Sequence, residues 1–167
     1  MGRRGGTALR KQLIGQEVTK STRAAQDTWL DLEKLASVEI TSENPAFPIE
    51  NALIAGNTTA AGWQASVTGP QTLRIHFDQP QKIRRIHLRF VESEHERGQE
   101  FLLSYLGAGA SKREIVRQQW MFSPGGASEE IEDYIVDLEN VASIELTIDA
   151  DRGNDRTPAT LAELRIA

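Results

Sequence analysis

Between Thr72 and Phe90 the chain alternates apolar and polar residues twice over. Leu73, Ile75 and Phe77 interleave with Thr72, Arg74 and His76; Ile86, Leu88 and Phe90 interleave with Arg85, His87 and Arg89. A period of two sets one face of each segment against a core and turns the other outward, which is how a half-buried strand reads. Asp78-Gln79-Pro80-Gln81 separates the two arms. A proline there presets φ and removes a ladder donor, so the segment reads as a turn and the two arms as a central hairpin.

The rest of the chain from Ser37 onward repeats this character. Val38–Ile40 opens a strand, and Phe101–Leu106 and Lys112–Arg117 make a pair about Gly107-Ala108-Gly109-Ala110. Ile131–Leu138 and Val141–Ile148 follow about Glu139-Asn140, and Thr160–Ile166 closes the chain. About eight short strands with regular turn signals indicate an antiparallel β-sandwich. Before it, Leu13, Ile14, Val18, Ala25, Trp29, Leu32 and Ala36 recur at helical spacing, so a helical extension is expected over 1–36 and the sandwich over 37–167. That extension either packs its Trp29 face on its own domain or docks a partner.

Composition narrows the function. A net charge of -5 argues against a general nucleic-acid binder. The absence of cysteine excludes a disulfide framework, thiolate chemistry and a cysteine zinc site. No stretch has the length of a membrane span, and MGRRGGTALRKQLIGQ lacks the apolar run of a signal peptide, so a cytoplasmic protein is expected, without secretion being excluded. No Gly-x-Ser-x-Gly elbow, phosphate-cradling glycine loop or recognisable triad is present, and the chain is not expected to be an enzyme. The run Glu129, Glu130, Glu132, Asp133 reads as a solvated strand edge that discourages pairing. His76 and His87 fall on the outward face of the central segment, as does the row Arg74, Arg85 and Arg89, which could meet Asp27, Asp31 and Glu33 of the extension.

Several pieces, in order, resemble the discoidin domains, the coagulation-factor C-type modules of the galactose-binding-like superfamily. Pro48-Ile49-Glu50-Asn51-Ala52-Leu53, then Gly56-Asn57-Thr58-Thr59 and Trp63, is similar to that family's P-x-x-N-A-x-D-G-N-x-x-T-x-W stretch. Gly69–Phe77 looks like its G-P-x-x-L-x-I-D-L strand, Ile83–Leu88 like the partner strand, and Leu161-Ala162-Glu163-Leu164 like its closing strand. The resemblance implies a mainly β, antiparallel jelly-roll sandwich acting as a non-catalytic module that binds carbohydrate through loops at one end. It also implies a structural calcium site. Asn57, Thr59 and Glu163 stand at positions matching its ligands, but Ala55 replaces the usual Asp, and no cofactor is expected. The alternative is an intracellular protein-interaction or oligomerisation module using the sandwich flank and the helix.

Four residues are expected to carry the ligand. His95 and Arg97 lie in a charged loop, and imidazole and guanidinium suit hydroxyl recognition. Trp120 and Phe122, alternate residues that would face one side, could supply a stacking platform. The competing readings are a solvated turn for the first pair and a hydrophobic plug for the second. Arg97 is taken as an exposed loop residue, and the two loops are expected at the same end of the sandwich.

Overall fold

The computed structural model describes residues 29–54 and 62–167. Among them are two single-turn helices, α1 (Leu32–Leu35) and α2 (Glu50–Leu53), and eight strands. The strands are β1 (Ala36–Ile40), β2 (Trp63–Gln64), β3 (Gln71–Val91), β4 (Arg97–Gly107), β5 (Lys112–Phe122), β6 (Glu129–Asp149), β7 (Thr160–Leu161) and β8 (Glu163–Ile166). All pairings are antiparallel. The chain is an antiparallel β-sandwich.

Its framework is a pair of long bent strands. β3 and β6, 21 residues each, pair from Gln71↔Ile148 to Val91↔Glu129, with register shifts between His76 and Arg85. The first half of β3 lies between β1 and the second half of β6; its second half lies between β8 and the first half of β6. Phe90 stacks on Phe101 of β4 at 5.3 Å although β6 separates those strands in the sheet, so the two halves face each other across the core. Strands that change layers through irregular register form the corners of such sandwiches.

This corrects the central hairpin. The arms Leu73–Phe77 and Ile86–Phe90 do fold back, but into opposite layers, and each pairs with β6 rather than with the other. The same holds for Ile131–Leu138 and Val141–Ile148, which are one strand bent at Asn140, whose φ is 52°. The burial of alternate residues is as the periodicity predicts: Leu73, Ile75, Phe77, Ile86, Leu88, Phe90, Leu146 and Leu164 are all buried. The inward face changes parity between Ile83 and Ile86, both buried, where the register with β6 shifts.

Charged residues on the outer faces find partners within the sandwich. Arg74 donates to Glu145 (2.8 Å) and Glu39 (3.0 Å), Arg85 pairs with Asp133, and Arg89 with Glu129. The row is therefore matched by strand carboxylates; Asp31 pairs instead with Lys34, and Asp27 lies outside the described residues. His76 meets Glu39 while His87 lies near Asp133 and Glu163, so the two histidines sit in different halves. The acidic run does lie on an edge, since among the described residues this half of β6 pairs with β3 alone, but it is only partly solvated: Glu130 is fully buried, and Glu129 and Asp133 pair with arginines of β3.

The helix expected over 1–36 falls mostly outside the described residues. Of its end only α1 is helical, and Ala36 already belongs to β1. Trp29 lies over Arg85, with the guanidinium carbon 4.7 Å from its ring centre.

Candidate functional site

One end of the sandwich gathers the β3–β4, β5–β6 and β6–β7 connections. Arg152 N–H donates to Gly98 O (2.8 Å) and Glu92 N–H to Ser128 O (2.8 Å), tying the three together. At their centre is a buried ion pair. Arg97 Nε donates to Glu92 Oε1 (2.7 Å), and Nη1 to Gln99 Oε1 (3.1 Å) and Ala150 O. The guanidinium carbon lies 4.8 Å from the Phe122 ring centre, a cation–π contact. Burial alone would raise the Glu92 carboxyl, but Arg97 and the backbone N–H groups of Glu94 and His95 outweigh it and hold it below its ordinary value.

Alternation within β5 puts Trp120 and Phe122 on one face with Met121 opposite, where it is 59 % exposed. Arg97 and Phe122 are cross-strand partners, as are Gln99 and Trp120. His95 joins them through Glu92, whose Oε2 lies 3.3 Å from the imidazole Nδ1. Two expectations are corrected here. Arg97 is not an exposed loop residue but the first residue of β4, its side chain at 0 % exposure, and Trp120 and Phe122 belong to a strand rather than a loop. Phe122 is fully buried and Trp120 partly so. Of the four, His95 is the one with an open side chain, at 58 %.

The late connection adds residues that sequence reasoning passed over. Asp151 is buried and accepts from Arg156 through its backbone N–H (3.1 Å) and Nε (3.0 Å), which keeps its carboxyl below the ordinary range. The side chains of Arg152 and Arg156 remain open to solvent at this end. The signal in the sequence was Asp151 followed by Arg152 and Arg156 in a polar connection.

The implied calcium site does not fit the described donors. Asn57 and Thr59 lie outside the described residues. Glu163 is already engaged by side chains of the chain: Arg165 Nη2 at 3.5 Å from Oε2 and His87 Nε2 at 3.3 Å from Oε1. Among the described residues no group of three or more histidines and carboxylates is placed to hold a metal ion.

No protein-family model matches the chain, and none of the curated proteins does. Solved structures do. The family 32 carbohydrate-binding module of Clostridium perfringens NanJ, in complex with galactose, superposes with a TM-score of 0.61 at 18 % identity over 83 % of this chain and 97 % of that one. A second family 32 module from Clostridium perfringens, in complex with GalNAc-β-1,3-galactose, gives 0.58 at 17 % identity over 83 % and 99 %. The family 32 module of AlyQ, in complex with 4,5-unsaturated mannuronic acid, gives 0.55 at 16 % identity over 80 % and 95 %. The chain therefore has the discoidin-like, galactose-binding-like fold.

Proposed function

We propose that the chain is a non-catalytic carbohydrate-binding module whose ligand rests on the loop end around His95. The observation that carries this reading is the fold, shared along nearly the full length of modules solved with sugars bound. The local chemistry agrees with it. His95, Arg152 and Arg156 have open side chains, and the buried Glu92–Arg97 pair lies against His95 through the Glu92 carboxylate. Sugar hydroxyls both donate and accept, which suits an imidazole beside guanidinium forks.

Such a shallow site desolvates little of its ligand, so affinity is expected near the millimolar range, about -4 kcal/mol. A glycan array with the wild-type protein and His95→Ala tests the reading. Retention on at least one glycan, lost in the variant, is the expected result. Equal retention by both, or by neither, overturns it.

A second reading, a protein-interaction module acting through its flank, is favoured by Ile131 and Ile135. They are 54 % and 40 % exposed on the outer face of β6. Light scattering that finds a dimer dispersed by Ile131→Lys would establish it; a monomer at all concentrations would remove its self-association form.

A further inference from the structure

β8 carries Arg165 two residues beyond Glu163, and its side chain is 10 % exposed. Its guanidinium reaches oxygens on separate segments: Ala52 O at 2.7 Å, Leu164 O at 2.9 Å, Ile54 O at 3.4 Å and Glu163 Oε2 at 3.5 Å. Ala52 ends no regular strand; it lies in the α2 turn, whose carbonyls point at the terminal strand instead of completing a longer helix. Backbone carbonyls with one carboxylate are the donor set that a hard divalent cation takes. Here a side chain takes it.

We propose that the Arg165 guanidinium is a built-in cation standing where a structural calcium ion would otherwise cross-link the α2 turn to the terminal strand. A planar guanidinium offers five N–H donors spread over three nitrogens in a fixed fork, so Nη1 and Nη2 together reach carbonyls on separate segments, a span that a compact ammonium does not match. Among the described residues, the groups around Glu163 are already the side chains of Arg165 and His87 rather than further oxygen donors for a divalent ion. Arg165 and His87 both face its carboxylate, and Arg89 is its cross-strand partner. An added dication would meet like charge at contact distance, where repulsion is strongest. The same region has a second tie without metal, since Asn51 Nδ2 donates to Gly62 O at 3.1 Å. Gly62 itself has φ +64° and lies so close to Leu161 and Ala162 that a side chain would strike their backbone.

Thermal melts of the full chain in calcium chloride and in chelator, for wild type, Arg165→Gln and Arg165→Lys, test this. Wild type is expected to melt at the same temperature in both buffers. Arg165→Gln should melt about 5 °C or more lower, because three carbonyls lose their charged donor. Arg165→Lys should recover only part of that loss, since it keeps the charge without the fork. A wild-type midpoint that rises by several degrees in calcium overturns the proposal. So does Arg165→Gln melting with wild type, or Arg165→Lys restoring it in full. If Arg165→Gln does not fold, the wild-type calcium comparison and the lysine variant decide.

Discussion

Glu130 gives the sharpest test of the interior. It lies on the inward face of β6 with its side chain fully buried. Gln99 Nε2 of β4 donates to its Oε1 at 3.3 Å, Glu132 and Tyr134 follow it on the same face, and Arg97 acts on it electrostatically. Burial first, and then the Glu132 carboxylate, push its pKa up from 4.5 to about 7, against the opposing pull of Gln99 and Arg97. In the unfolded chain this carboxyl releases its proton near 4.5. Between that pH and about 7 the folded protein holds a proton that the unfolded chain has lost, so stability falls as pH rises through this window. The gap corresponds to about 3 kcal/mol, at about 1.4 kcal/mol per pH unit. Glu130→Gln keeps an oxygen for Gln99 but carries no charge. It should match wild type near pH 4.5 and exceed it above pH 7 by up to about 3 kcal/mol. Urea unfolding of both proteins across that range measures the difference directly, and the losses they share at low pH cancel. A difference that does not change with pH, or a variant less stable than wild type at high pH, would refute the reasoning.

Two further outcomes follow from the same geometry. Arg97→Ala leaves the Glu92 carboxylate buried without its main partner and should cost about 3–5 kcal/mol in chemical denaturation, where an exposed loop arginine would cost almost nothing. Glu92, Asp133, Glu145 and Asp151 all have carboxyls held below their ordinary values, so their stabilisation is present above the unfolded values (4.5 for Glu, 3.8 for Asp) and is lost as pH falls through the folded ones. Circular dichroism followed through an acid titration should show unfolding beginning below about pH 4, and Glu92→Gln should reduce the acid-dependent part.

The core face was legible because burial has a period. Leu73, Ile75 and Phe77 announce it without any knowledge of their partners, and so does the pairing of Trp120 with Phe122 on one side of β5. The bend in β3 was not legible. Asp78-Gln79-Pro80 interrupts the alternation in the same way whether the chain reverses within a sheet or crosses between layers, and only the strand it pairs with, β6, decides. The burial of Arg97 was hidden for a related reason. Its loop neighbours in sequence are charged, but the groups that enclose it, Glu92, Ala150 and Phe122, come from two connections and the end of β5, which meet only in the fold. The partners of Arg74, Arg85 and Arg89 are cross-strand neighbours on β1 and β6, so they too depend on register. The role of Arg165 was not legible because the carbonyls it ties, Ala52 and Ile54, lie at the other end of the chain in sequence.

The measurement that bears most directly on the account is a titration of uniformly ¹⁵N-labelled protein with a glycan retained on the array, followed by amide chemical shifts. The account predicts that shifts concentrate at the β3–β4 connection around His95 and the β6–β7 connection around Arg152 and Arg156, while the outer faces of β3 and β6 stay unchanged. Shifts confined to the outer face around Ile131 and Ile135, or none at ligand concentrations of about 10 mM, well above the expected dissociation constant, would contradict it.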